Sequence, residues 1–381
     1  MKIVYCTNSI SRPGGVQNVT IAKAKALSKI DGNRVWIAVT EYTGDSYLQD
    51  DKVNIVNLNI NYYDGTQGKN RIFQLIDLLL KQRLHRRKLR QLFNIINPDI
   101  VISTGCLEKN IIPTLRARSR ILIREIHTQS DCRLFYAKSF YEKIVARIGD
   151  FLDYRIFIRR YDQVVLLTEE DKQRCWKNND KAIVIPNPLC MVPSNVSSLD
   201  SRNIVSIGKL SMGKNYAAQI RSWVLVHKRH PDWNLIIVGD GEEKTNLLSL
   251  VGSLGLSDCI SIIGNVSDVA PFLSGSSIFT FSSLSEGFGL VIIEAMSHGL
   301  PVISYDCPCG PKDIITDGKN GYLVPVGDEH LMSERICYLI ENEDERKKMG
   351  SEALSSVERF SMDTIISRWM NLFTNLLTQK D

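Results

Sequence analysis

The chain has 381 residues, 44% of them hydrophobic and 23% charged, with a net charge of +5. That length holds about two domains of ~150 residues each, and the composition excludes both a disordered polymer and a small scaffold stapled by disulfides or metal. The nine cysteines are scattered and odd in number, with Cys307 and Cys309 the one close pair. They are expected to be reduced thiols in a cytoplasm, with no structural zinc and no catalytic cysteine.

No signal-peptide pattern follows Met1 and no apolar run reaches ~18 residues, so a protein neither secreted nor membrane-spanning is expected. In chain order, KIVYC, RVWIAVT, KVNIVNL, DIVIS, RILIRE and QVVLL read as strands separated by stretches of helical spacing. That alternation predicts a parallel sheet wrapped by helices. Within it lies LLLKQRLHRRKLRQLF, where no acid occurs between Asp77 and Asp99. Arg83, Arg86, Arg87 and Arg90 recur at i, i+3, i+4 and i+7 and share one helical face, while Leu89, Leu92, Phe93 and Ile96 form a second, apolar one. The segment suits either a solvated surface helix or one lying on an anionic membrane surface with its basic residues among the headgroups. It lacks the interleaved aromatics of a single-strand binder, so no nucleic-acid partner is expected.

After the proline-rich VIPNPLCMVPSN the rhythm restarts with NIVSIG, NLIIVGD, CISIIG, IFTFSS, PVISYD and GYLVP. Two α/β units are therefore expected, over 1–186 and 187–360, joined near residue 187. Charge divides with them: 31 basic and 19 acidic residues lie before residue 187 (+12), 16 and 23 after it (−7). The last stretch, 344–379, reads as helical with a break at Phe360 and Ser361, where Ser361 can cap the final helix. That tail is expected to pack back across both units.

In open parallel sheets, ligands sit beyond the carboxyl ends of the strands, where glycine turns and helix N-termini offer N–H groups to anions. Gly14 and Gly15 follow the first strand in such a turn, without the GxGxxG of dinucleotide binders. The run from Gly208 to Asn215 imitates a phosphate loop, but Asn215 stands where the magnesium-binding hydroxyl belongs. Lys209 and Lys214 in that run suit a diphosphate. The strongest signal is SSLSEGFGLVIIE: a buried strand ends, a polar turn follows, and a helix begins at about Leu290. Glu286 and Glu294, eight residues apart beside one helix N-terminus, can each accept hydrogen bonds from hydroxyls. Phe288, between Gly287 and Gly289, reads as exposed.

This EGFGLVIIE segment resembles the EX7E motif of retaining glycosyltransferases of family 4. The likeness extends over essentially the whole chain, through SIGKLSMGKN, IIVGDGEE, IIGNVSD and EAMSHGLPVISYDCPCGPKDIITDGKNGYLVP. It implies the GT-B fold, with two facing Rossmann-like domains, the first for the acceptor and the second for a nucleotide-sugar donor. It places Gly14, Gly15, Lys209 and Lys214 at the donor diphosphate, with Lys209 standing where Arg is usual in the family. It places Glu294 at the ribose hydroxyls and Gly264, Asn265 and Val266 around the base. Glu286, with Phe288, Gly289 and Leu290, falls at the donor sugar and diphosphate. His127 falls at the transferred sugar, with Glu286, Lys214 and His127 as the catalytic set.

The implied activity is transfer with retention and without a metal or other cofactor. The product is a bacterial surface glycan such as capsule or O-antigen, built on a lipid-linked acceptor at the inner face of the cytoplasmic membrane. CPCGPKDII looks like the users of UDP-hexose or UDP-N-acetylhexosamine, which favours UDP over GDP-mannose. A catalytically silent nucleotide-binding subunit, a UDP-sugar epimerase and a phosphorylase remain as alternatives on the same fold.

Overall fold

A computed structural model of the chain describes residues 1–11, 14–42, 52–62, 70–117, 120–137 and 139–380. They form two compact units, one of Met1–Leu167, Cys175–Cys190 and Met362–Asp381, the other of Thr168–Arg174 and Met191–Ser361.

The chain begins with β1 (Lys2–Thr7), α1 (Gly15–Ser28), β2 (Arg34–Val39), β3 (Val53–Asn57) and the long α2 (Arg71–Ile96). It continues through β4 (Ile100–Ser103), β5 (Ile121–Glu125), α3 (Cys132–Tyr136), α4 (Phe140–Phe151), β6 (Gln163–Leu166), α5 (Glu169–Cys175) and β7 (Ala182–Val184). All pairings are parallel, in the order β3-β2-β1-β4-β5-β6-β7, so the direction of winding reverses between β1 and β4. The sheet is covered on both faces, which is why its strands read as near-continuous apolar runs rather than alternating ones. Alternation is still visible in what each residue touches. Ile121 and Ile123 of β5 join Tyr5, Ile37 and Ile102 in one core, and Leu122 joins Val4 and Val101 in the other.

That second core also takes Leu89, Phe93 and Ile96 of α2, with Leu92 packed at its edge. The apolar stripe that could have met a bilayer is therefore spent on the sheet. Burying such side chains stabilises by about 1.5–3 kcal/mol each, and that decides which surface the stripe seeks. Arg83, Arg86, Arg87 and Arg90 remain exposed on the outer face.

In the second unit the order of elements is β8 (Asn203–Ile207), α6 (Tyr216–Arg229), β9 (Asn234–Val238), α7 (Lys244–Ser253), β10 (Ile260–Ile263), α8 (Ala270–Ser274) and β11 (Ile278–Phe281). Then come α9 (Leu290–Ser297), β12 (Val302–Tyr305), α10 (Pro311–Ile314), β13 (Gly321–Val324), α11 (Glu329–Glu341) and α12 (Glu343–Ser356). The sheet runs β10-β9-β8-β11-β12-β13, again all parallel, with its reversal between β8 and β11.

The last helix, α13 (Met362–Thr378), follows a break at Ser361. Its Ile365, Trp369 and Phe373 recur every four residues and are buried in the core of the first unit, against the β1 and β5 face. Among the described residues no helix is long and apolar enough to cross a membrane, and none of the nine cysteines is in a disulfide bond.

Candidate functional site

The second unit's strand reversal brings two turns together. After β8, Gly208 adopts φ +154° and the chain runs through Lys209 to a short 3-10 turn, Met212–Lys214. Asn215 then takes a left-handed φ of 51° and starts α6. After β11, the Ser282 hydroxyl faces the carbonyl oxygens of Lys214 and Asn215 at 2.9 and 3.0 Å, and the Leu284 N–H donates to Gly213 O at 2.9 Å. Gln219 of α6 donates to the same hydroxyl at 2.9 Å. These bonds stitch residues 213–215 to 282–284 and so fix where the two side chains beyond them point.

The result is an ion pair: Lys214 Nζ lies 2.5 Å from Glu286 Oε1, both groups largely buried. Lys214 also stands 5.3 Å over the Phe281 ring, a cation–π contact. Lys209, by contrast, pairs with Glu242 at 2.9 Å on exposed surface and does not join Lys214 and Glu286. Gly264, Asn265 and Val266 follow β10, two strands from β8, where Asn265 is exposed and Gly264 lies beside Lys244 and Asp240.

Phe288 differs from the sequence expectation. Its ring is 3% exposed and meets Phe360 edge-on, centroids 5.6 Å apart. Gly310 permits this, because a Cβ there would lie 2.1 Å from Phe288 O. An aromatic between two glycines reads as exposed only while its long-range partner is unknown. Gly289, at φ +93°, opens α9 at Leu290 and needs the freedom of glycine.

Glu294 sits one turn into that helix. Its carboxyl has no hydrogen-bond or ion-pair partner among the described residues, and burial pushes it up to about 7. A half-buried, unpaired carboxyl is costly to the fold, and it is positioned to accept hydrogen bonds from something the unit itself does not supply.

In the first unit, Gly14 is extended and caps α1, its carbonyl accepting from Asn18 N–H at 2.9 Å, with Gly15 the first helical residue. His127 follows β5, buried, with Nε2 3.4 Å from Glu125 Oε1. Glu125 is itself paired with Lys23 of α1. Neither Lys23 nor Glu125 stands out in the sequence. The spacing of Glu125 and His127 puts both on one face of a strand, whereas a lysine on the buried side of a helix carries no signal at all.

A family profile described as "Glycosyl transferases group 1" matches residues 192–355. The chain is similar to an uncharacterised glycosyltransferase of Haemophilus influenzae, at 28% identity over 97% of this chain and 99% of the relative. It is also similar to an uncharacterised glycosyltransferase of Methanocaldococcus jannaschii, at 30% identity over 61% of this chain and 67% of the relative. Among solved structures, Anabaena HepE in complex with UDP matches with a TM-score of 0.76 over 98% of this chain and 100% of that one. At 18% identity that likeness is one of fold.

Proposed function

The chain belongs to the group 1 glycosyltransferases and has the GT-B fold, and from that premise we propose that it transfers a hexose or N-acetylhexosamine from a UDP-sugar to a lipid-linked glycan. Transfer is to a hydroxyl of the growing chain, with retention. The observation that carries this reading is the cluster at the β8/β11 reversal: the Lys214–Glu286 pair with the unpartnered Glu294 one turn into α9. The reversal of an open parallel sheet is where such folds bind ligands. HepE, bound to UDP, is a fold relative whose ligand favours the same nucleotide here.

In the proposed mechanism the second unit holds the donor. Glu294 accepts hydrogen bonds from the ribose hydroxyls, and Gly264, Asn265 and Val266 border the base. Gly289 and Leu290 offer backbone N–H groups at the start of α9, and the buried Phe288 meets the donor through its backbone alone. Lys214 and Lys209 stabilise the charge that grows on the diphosphate as the bond from C1 to the leaving oxygen breaks. The acceptor oxygen forms its bond to C1 on the same face, and its proton passes to the departing diphosphate. In the first unit, which binds the acceptor in this proposal, Gly14 and Gly15 form the diphosphate-facing turn and His127 meets the transferred sugar. No metal is assigned a part in this step.

Calorimetric titration with UDP, GDP and their hexose and N-acetylhexosamine conjugates, in EDTA, tests the donor. UDP and one of its sugars are expected to bind at micromolar Kd, GDP at least about tenfold more weakly, with turnover unchanged by EDTA. Equal binding of GDP overturns the nucleotide assignment, and loss of turnover in EDTA overturns the metal-free step.

We further propose that the first unit rests on an anionic membrane surface. Ile72, Phe73, Leu75 and Ile76 on the first half of α2, and Phe140 and Tyr141 on α4, are exposed large apolar side chains. Such apolar surface, together with the exposed Arg83, Arg86, Arg87 and Arg90, suits an interfacial contact. Replacing the four arginines with glutamine is expected to reduce co-sedimentation with phosphatidylserine vesicles by about tenfold or more, at roughly 1 kcal/mol per charge near the surface. UDP binding should not change. Unaltered sedimentation returns the arginines to a solvated face.

A further inference from the structure

A buried charge pair stands in the first unit behind His127. Lys23 and Glu125 are each 1% exposed and are bonded to one another. Lys23 comes from α1 and Glu125 from the end of β5, and the ammonium is sandwiched by aromatic rings, 4.8 Å from Trp369 and 5.9 Å from Tyr5. Burial disfavours the Glu125 carboxylate, but Lys23, and after it His127, outweigh burial and hold the group down at about 2.

Such a pair is weak evidence for stability, because well-packed apolar residues often serve a core equally well. Its surroundings point to function instead. Glu125 Oε2, both ring nitrogens of His127, Tyr5 Oη and Trp369 Nε1 are all buried without a hydrogen-bond partner among the described residues. Natural cores leave few polar atoms unpaired, so five around one ion pair mark hydrogen-bonding capacity that the fold does not use.

We propose that Glu125, fixed as a carboxylate by Lys23, is the positioning residue of His127. Glu125 Oε1 lies on the Nε2 side of the ring at 3.4 Å, too far for a good hydrogen bond but close enough to favour a proton on that nitrogen. Neutral His127 then carries its proton on Nε2 and presents Nδ1 as an acceptor. A hydroxyl of the transferred sugar, donating to Nδ1, meets a ring whose tautomer is set in advance. This inference rests on the reading of His127 given above. The logic is that of a carboxylate orienting a histidine in a hydrolase triad, with Lys23 added because the carboxylate here is cut off from water.

The decisive variant is the double Lys23→Met/Glu125→Leu. Lys23 and Nε2 face the same oxygen of Glu125, so Glu125→Gln can keep its amide oxygen toward both, whereas the double variant leaves Nε2 no acceptor. Two readouts apply: 15N NMR of histidine-labelled protein, with His127 assigned by its loss in His127→Asn, and UDP release from UDP-hexose. In the double variant His127 is expected to lose its preference for the Nε2–H tautomer and kcat to fall about 100-fold, with donor KM within about twofold, since the nucleotide contacts lie on other residues.

The double variant Lys23→Met/Glu125→Leu guards against simple misfolding. It should unfold at a temperature no lower than wild type and lose more kcat than Glu125→Gln, which keeps an acceptor at Nε2. An unchanged tautomer, or wild-type kcat, in the double variant overturns the proposal. Full kcat in His127→Ala overturns instead the placing of His127 at the sugar, and the tautomer result still decides whether Glu125 orients the ring.

Discussion

Lys214→Ala is expected to lower kcat/KM for donor turnover by about 10³-fold and to weaken UDP binding by about 100-fold. Two effects combine. The leaving diphosphate loses a charge-assisted contact of a kind that contributes several kcal/mol in a water-poor site. The substitution also strips Glu286 of the ammonium 2.5 Å away, leaving a largely buried, unpaired carboxylate where a dianion must sit. The second effect can be isolated. Adding Glu286→Gln to Lys214→Ala removes the unpaired negative charge and should restore UDP affinity to within about tenfold of wild type, while turnover stays low. If UDP binds Lys214→Ala as tightly as wild type, Lys214 does not touch the diphosphate. If the double variant recovers nothing, the two side chains meet only each other and not the ligand.

Glu294→Gln should change the pH dependence of both stability and binding. Burial raises the carboxyl of the folded protein to about 7 from the ordinary 4.5. Below about pH 4.5 the group is neutral in folded and unfolded chains alike. As pH rises from 4.5 toward 7 the unfolded chain gives up its proton more readily, so this group's contribution to stability falls through that window and is lost above it. The loss amounts to about 2–3 kcal/mol at most. Glu294→Gln should lack that decline and be the more stable protein at pH 8, as followed by denaturant unfolding.

Binding has the opposite slope. Ribose hydroxyls donate to the ionised form, so UDP should bind wild type about tenfold more tightly at pH 8 than at pH 6. The phosphate of UDP titrates in the same range, but it does so for both proteins, and the ratio of wild type to Glu294→Gln isolates the carboxyl. A ratio that does not change with pH would remove Glu294 from the ribose site.

Much of the architecture is legible in the sequence because parallel strands buried on both faces are apolar throughout and are separated by helical spacing. Twelve of the observed strands coincide with such runs. The thirteenth, β7, has only three residues, Ala182–Val184, directly before Pro186, and local pattern alone merges it with the proline-rich linker. α9 begins at Leu290, where the glycines place it. What local pattern cannot supply is the partner of a side chain. Phe288 turns inward because Phe360, 72 residues later, receives it. The apolar stripe of α2 looks available to a membrane until the sheet beneath it is known. Lys214 and Glu286 each stand in a recognisable turn, yet their pairing depends on the stitching of Ser282 and Leu284 to residues 213–215. Lys23 is the extreme case, a charge inside a core with nothing in its neighbours to announce it.

The placement of α13 bears on how the protein is made. Trp369 and Phe373 are fully buried in the core of the first unit, although they follow nearly the whole of the second unit in the chain. Domains usually fold in the order of synthesis, but here residues 1–167 emerge with an apolar trough along β1 and β5 that stays open until the second unit has been synthesised. The first unit therefore completes its core only after the second has been made. During the interval its exposed core is a natural client for chaperones, and a nascent chain released early leaves that unit without its closing helix.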